Sequence, residues 1–66
     1  MAVLKVIEIM ANSEKSWEDA TAKAIKKASK SIKNIRSAWV QDQSVSVKGD
    51  KVVDYRVNLK VSFEVN

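Results

Sequence analysis

The clearest pattern in the chain is a strict alternation of apolar and polar residues in its last third. The apolar side chains occupy odd positions: Val53, Tyr55, Val57, Leu59, Val61, Phe63 and Val65. Polar or charged side chains occupy the even positions from Asp54 to Glu64. A period of two is typical of a strand with one buried and one polar face. The pattern therefore predicts a long strand from Lys51 onward.

A second pattern, with steps of three and four residues, runs through the middle of the chain. Small and apolar residues recur at positions 17, 20, 21, 24, 25, 28, 32 and 35. This spacing predicts an amphipathic helix of about five turns that begins after Ser16 and packs through Trp17. The Ser16 hydroxyl can cap the first turn, where Glu18 and Asp19 suit the positive end of the helix dipole.

Two further segments are predicted to be strands. Residues 3–10 are dominated by Val, Leu and Ile, and residues 36–47 precede a short turn at 48–50 that contains the only glycine. This turn predicts a hairpin between residues 36–47 and the long last strand. The resulting order of strand, helix, strand, strand gives an α+β fold with β-α-β-β topology.

The predicted elements differ in length. A helix of about eighteen residues extends about 27 Å, whereas a strand of about fifteen residues extends about 50 Å. One helix cannot cover such a sheet. The strand at 36–47 also lacks a clean alternation, because its apolar residues lie on both faces: Ala38, Val40, Val45 and Val47. We therefore predict an obligate oligomer, in which copies of the chain cover the remaining surface.

Composition excludes several classes of function. With 66 residues, the chain is predicted to be a single domain, 1–66, and its lack of Cys and His excludes disulfides, thiol catalysis and zinc sites of the usual kind. No serine has a visible base partner and Gly49 stands alone, so we expect no enzyme activity and no glycine-rich phosphate loop.

The partners suggested by charge are equally restricted. The net charge is +4, but the chain has only two Trp, one Tyr and one Phe. Nucleic-acid-binding modules usually place aromatic residues among their basic ones, so we expect no nucleic-acid partner. No apolar run approaches the ~20 residues that span a bilayer, and no signal-peptide pattern is present. We expect a cytoplasmic protein without a membrane partner.

Four stretches carry a resemblance to the dodecin family: VIEI, SEKSWEDA, AIKKASKSIKNI and YRVNLKVSFEV. The resemblance covers nearly the whole chain without insertions. It implies a three-stranded antiparallel sheet wrapped around one helix, and assembly into a hollow homododecamer with the helices outside. It also implies a cofactor-storage role with a small aromatic ligand, namely a flavin such as riboflavin or FMN.

The resemblance is weakest at the ligand-contacting positions. In flavin-binding members, a Trp on the second strand stacks on the isoalloxazine ring and a Gln on the third strand binds the ring edge. An Arg further along the second strand lies near the phosphate of FMN. In this chain these three positions are Ser37, Arg56 and Ser44. The resemblance therefore predicts a weak or modified flavin site.

Other residues near these positions offer replacements. Trp39 lies two residues after Ser37 on the same strand face, a displacement of about 7 Å. It either provides a new stacking surface or packs at a subunit contact. Gln41 and Gln43 can bind the edge of a ring or line a water-filled cavity, and Arg56 can bind a phosphate or form an intersubunit ion pair.

The alternative to a flavin store is a flavin-free shell that binds metal ions such as Ca²⁺ or Mg²⁺, or has a structural role. Both ions prefer oxygen ligands, and carboxylates converge where copies meet at a symmetry axis. The candidate carboxylates are Glu8, Asp42, Asp54 and Glu64. No segment resembles a dedicated calcium loop, so the sequence leaves the metal ligands open.

Overall fold

The computed structural model describes residues 2–65, and the predicted domain 1–66 extends one residue beyond this range at each end. Its elements are β1 (Val3–Ser13), α1 (Trp17–Ala28), β2 (Ile35–Lys48) and β3 (Lys51–Val65). The strands form one antiparallel sheet in the order β1-β3-β2, so the longest strand lies in the middle. The predicted β-α-β-β fold with a three-stranded antiparallel sheet is confirmed.

The core lies between α1 and the central strand. Val57, Leu59 and Val61 of β3 point toward the helix and are almost fully buried, as their alternation predicted. Ala20 and Ala24 of α1 pack on them, and their small side chains let the helix lie close to the sheet. Among the described residues, this compact cluster is the whole buried apolar core, which is small even for a chain of this length.

The first turn of α1 is fixed by its cap. The Ser16 hydroxyl accepts a hydrogen bond from the backbone N–H of Asp19 at 3.0 Å, as predicted. Asp19 in turn accepts hydrogen bonds from the Ser13 hydroxyl and from Lys23, whose Nζ lies 3.0 Å from the carboxylate. These contacts lower the pKa of Asp19, the Ser13 hydrogen bond having the largest effect. They also join the end of β1 to the start of the helix.

The predicted length of the helix is wrong, because α1 ends at Ala28 after twelve residues. The following residues form tighter i→i−3 bonds, such as the one from the Ser31 N–H to the Ala28 carbonyl at 3.1 Å. Ser29 also donates its hydroxyl to a carbonyl of the last turn, which competes with continued helix. Asn34, with φ of 64°, then turns the chain so that Ile35 begins β2 instead of extending the helix.

The hairpin of β2 and β3 extends well beyond the helix. Gly49 has φ of 65° in the two-residue turn, a backbone conformation for which glycine is preferred. The molecule measures 50 × 20 × 13 Å, whereas twelve helical residues extend only about 18 Å. Valines near the hairpin tip therefore stay exposed: Val45, Val47, Val52 and Val53. No helix within residues 2–65 is long and apolar enough to cross a membrane.

Candidate functional site on the outer face of the sheet

Most of the candidate residues lie on the sheet face opposite α1, which we call the outer face. The odd-numbered residues of β3 pack under the helix, so its even-numbered residues from 54 to 64 point the other way. Residues directly opposite each other in neighbouring strands share a face. On β2, the outer face includes Ser37, Trp39, Asp42 and Ser44, which lie opposite Ser62, Lys60, Asn58 and Arg56 of β3. On β1, it includes Glu8, Met10 and Asn12, opposite Lys60, Asn58 and Arg56.

The six residues predicted to contact a ligand are divided by this geometry. Four of them share the outer face: Ser37, Trp39, Ser44 and Arg56. Gln43 instead lies opposite Val57, on the helix side, where it lines a groove of ≈ 330 Å³ with Trp17 and other residues. Gln41 is the extra residue of a β-bulge between Val40 and Asp42, and it has no register partner on β3.

This bulge determines what lies next to Trp39. In a regular strand, residues three apart point to opposite faces, so alternation alone would separate Trp39 from Asp42. The extra Gln41 moves Asp42 back onto the outer face, directly opposite Asn58. Sequence reasoning missed Asn58 as a candidate, although its place on the polar face of a predicted strand was a signal.

Ser37, at the position where flavin-binding dodecins have their stacking Trp, forms a pair with Ser62 of β3. The Oγ atoms of Ser37 and Ser62 are 2.6 Å apart and share a hydrogen bond. Ser62 is only 4% exposed, which shows that the strands are closely packed at this point. A serine pair has no ring to stack on an isoalloxazine, so these residues cannot sandwich a flavin.

The two tryptophans have different surroundings. Trp17 donates its indole N–H to the backbone carbonyl of Ser44 at 3.0 Å and packs edge to face with Tyr55 at 5.3 Å, so its predicted packing role is confirmed. Trp39, opposite Lys60 on the outer face, is 47% exposed. Among residues 2–65, its indole N–H has no hydrogen-bond partner, and its surface is available to a ligand or to another copy.

A cavity of ≈ 280 Å³ with polar and apolar lining lies beside the bulge. Its lining includes Met10, Asp42, Ser44, Arg56 and Asn58. Within the described chain, the Oδ1 atom of Asn58 is buried without a hydrogen-bond partner. Leaving such an acceptor unpaired costs about 1–3 kcal/mol. Neither Asp42 nor Arg56 forms an ion pair within residues 2–65, so the charged groups of the cavity are available for external contacts.

The four candidate carboxylates are spread along the outer face. Asp54 accepts hydrogen bonds from Asn12 at 3.0 and 3.2 Å, and Glu64 lies 3.5 Å from Arg36. Glu8 lies opposite Lys60 in the register, whereas Asp42 lies opposite the neutral amide of Asn58. Residues 2–65 contain no cluster of three acidic residues that could hold a metal. A calcium ion would therefore need amide or hydroxyl oxygens, water, or a second copy of the chain.

A larger groove lies between α1 and β1 and contains none of the predicted residues. It has a volume of ≈ 550 Å³, with Ile9, Ala24 and Ile32 among its lining residues and Lys23 and Lys27 at its rim. Because β1 is an edge strand, this groove lies beside unpaired backbone groups. Its apolar lining suits contact with another copy better than binding of a polar ligand or ion.

Comparison with known proteins identifies the family. The Dodecin family profile matches residues 3–66. Calcium dodecin from Mycobacterium tuberculosis is 42% identical over 65 residues, which cover 98% of this chain and 92% of that protein. The crystal structure of that relative, which is described as calcium chelating with a novel calcium-binding site, has a TM-score of 0.83 to this structure. The match covers 97% of this chain and 91% of that chain.

Other dodecins match more closely in backbone but less in sequence. A mutant of the dodecin from Thermus thermophilus has a TM-score of 0.93 at 26% identity, covering 100% of this chain and 98% of that chain. The dodecin from Streptomyces coelicolor has the same TM-score at 20% identity, covering 98% and 93%, and supports the fold alone. From the match along residues 3–66 and the shared fold, we conclude that the chain belongs to the dodecin family.

Proposed function

We propose that the protein is a calcium-binding shell of the dodecin type, a homododecamer in the cytoplasm. In this assembly the helices lie on the outside, and the sheet face opposite α1, which we call the outer face of the sheet, lines the interior of the shell. It acts by binding and not as an enzyme. Assembly is supported by the large apolar residues that one chain leaves exposed, such as Val47 at 61% and Met10 at 72%. Burying such surface is the main driving force for association, and the groove between α1 and β1 offers a matching apolar surface.

The serine pair on the outer face is the observation that carries the choice of ligand. Ser37, paired with Ser62, takes the place of the aromatic surface that a flavin needs, whereas the oxygen atoms of Asp42, Ser44 and Asn58 nearby are of the kind that calcium prefers. The relative that is 42% identical is itself named calcium dodecin, which supports the same choice. These oxygens fit a hard cation, with water or another copy completing its coordination.

Paired titrations test this function. Chelator-treated protein is titrated with CaCl₂ by calorimetry, and with riboflavin and FMN by flavin fluorescence, while light scattering gives the particle mass. We expect saturable calcium binding to a particle of twelve chains and no strong flavin quenching. Quenching that saturates near one flavin per chain, without any heat from calcium, would contradict the proposal. A titration with MgCl₂ shows whether the site prefers the larger ion.

A flavin is the second candidate, and Trp39 is the observation that favours it. Its exposed indole lies two residues beyond Ser37 on the same face, and Arg56 lies further along the outer face with its guanidinium free of any ion pair within residues 2–65. A ring stacked on Trp39 would need a pocket shifted from that of flavin-binding dodecins. Loss of flavin quenching in a Trp39→Ala variant that keeps its particle mass would identify this shifted site.

A further inference from the structure

Asp42 and Asn58 form a pair that the flavin sites of the family do not predict. They lie directly opposite each other in the β2–β3 register, on the outer face. Facing residues in antiparallel strands have Cβ atoms about 4.5–5.5 Å apart. At that separation, a carboxylate and an amide carbonyl can both reach one cation, since calcium binds oxygen at about 2.3–2.6 Å.

The amide of Asn58 is the unusual member of this pair. Its Oδ1 atom is buried and has no hydrogen-bond donor within residues 2–65. On the outer face, Asn58 has Asp42 on one side and Met10 on the other. Asp42 supplies only acceptors when ionised, and Met10 has no donor on its side chain. Neither of these two neighbours can therefore donate to this oxygen, and the donors that also line the cavity, Ser44 and Arg56, form no hydrogen bond with it within residues 2–65. A cation shared with Asp42 would satisfy both groups.

Access to the pair is provided by the cavity beside the bulge. Ser44 lines this cavity and adds a hydroxyl on the same face of β2. Met10 is 72% exposed, and its unbranched side chain can move away from Asn58. Arg56 also lines the cavity and competes with a cation for Asp42. Its positive charge must lower the affinity for any metal at this place.

From these contacts we infer that Asp42 and Asn58 are ligands of a divalent cation, with Ser44 as a third oxygen donor. The assignment of calcium rests on the proposed function. The uneven set of carboxylate, amide and hydroxyl oxygens suits the flexible coordination of calcium better than the strict octahedron of magnesium. One chain fills only part of the coordination sphere, and water or a second copy provides the rest.

Calorimetric titration of the chelator-treated full chain with CaCl₂ tests the site. Asp42→Asn removes the charge of the ligand and should weaken binding by about tenfold or more, because affinity follows ligand charge. Asp54→Asn is the matched control: it removes a carboxylate from the same face, where Asn12 already binds it. The control should keep the affinity of the wild type within about twofold. Equal affinity of Asp42→Asn and wild type would overturn the assignment.

Two variants at position 58 provide an independent measurement. Asn58→Leu should lose calcium affinity while keeping the particle mass. Asn58→Asp places two carboxylates opposite each other, so its melting temperature should fall in chelator and rise with calcium by more than that of the wild type. An unchanged affinity in Asn58→Leu would exclude the amide as a ligand. Wild-type protein that binds no calcium would reject the proposed function itself, whereas calcium binding that survives both Asp42→Asn and Asn58→Leu would reject only this site.

Discussion

The two faces of the sheet differ in how far a single chain satisfies their side chains, and the two tryptophans show this difference. On the helix side, Trp17 packs on Tyr55 and donates its N–H to the Ser44 carbonyl, so one chain satisfies both its ring and its polar group. On the outer face, Trp39 is half exposed, and the buried oxygen of Asn58 has no donor within residues 2–65. One chain therefore satisfies Trp17, although Val40 and Val45 on the same side of the sheet stay exposed. On the outer face, the polar groups of Trp39 and Asn58 remain without partners within residues 2–65. The contacts on the helix side stabilise the fold, whereas the polar groups of the outer face are available for binding.

The largest effect is expected from the core on the helix side. Leu59 is 0% exposed, so Leu59→Ala should lower the free energy of unfolding by about 3 kcal/mol, through lost burial and the cavity that remains. The neighbouring Lys60→Ala, on the outer face, should change it by less than about 0.5 kcal/mol. Denaturant unfolding at one fixed protein concentration measures both variants. Similar losses in the free energy of unfolding for the two variants would show that both faces of the sheet contribute equally to stability.

The next effect concerns the assembly. Trp39→Ala should weaken subunit association by about 2 kcal/mol, the level of an interface aromatic anchor, while the fold of the single chain is retained. Light scattering over a dilution series reports the association, and circular dichroism reports the fold. An intact particle at every concentration, with altered ligand binding, would instead identify Trp39 as a ligand platform.

A smaller effect is expected from the polar group of the other tryptophan. Trp17→Phe keeps an aromatic ring against Tyr55 but leaves the Ser44 carbonyl without its 3.0 Å donor, at a cost of about 1 kcal/mol. Trp39→Phe is the matched control, because its indole N–H has no partner within residues 2–65. Thermal unfolding should separate the two variants. Equal melting temperatures would mean that the hydrogen bond to β2 contributes little.

The smallest effect is a dependence on pH at the start of the helix. The Ser13 hydroxyl and Lys23 lower the pKa of Asp19 below its ordinary value of 3.8, so the folded chain holds the ionised carboxylate more strongly than the unfolded chain does. This contribution is fully present above pH 3.8 and is lost as the pH falls through the lowered pKa. In the Asp19→Asn variant, the free energy of unfolding should therefore fall less steeply as the pH drops below 3.8. The outer-face variant Asp54→Asn, measured in parallel, shows how specific the change is to Asp19.

The helix side of the fold was more predictable from the sequence than the outer face of the sheet. The alternation along β3 predicted Val57, Leu59 and Val61 as buried residues because their environment is set by the chain itself. The start of α1 was predictable from Ser16, since a cap is a local interaction. The end of α1 was not, because the apolar spacing continues to Ile32 and Ile35. The Ser29 hydroxyl instead bonds to a carbonyl of the last turn, and the left-handed Asn34 then redirects the chain into β2.

The candidate site was less predictable than the fold. A period of two assigns faces only while the register is regular, and the bulge at Gln41 changes the face of the residues from Asp42 to Ser46, where the register shifts again. The adjacency of Asp42 and Asn58 therefore depends on a pairing irregularity that no local pattern encodes. The same irregularity explains why Gln43, predicted beside Ser44 as a ligand contact, lies on the helix side.

The bulges have a further consequence for the curvature of the sheet. Between Ile35 and Asp42, β2 contains two residues, Arg36 and Gln41, that have no counterpart on β3. A strand with more residues than its neighbour over the same stretch must bend, because the extra residues lengthen one side of the strand pair. Arg36 and Gln41 therefore bend the sheet at two fixed points along β2. In the homododecamer proposed above, this bend would contribute to the angle between neighbouring subunits, and so to the number of copies that close the shell, without either residue touching another subunit.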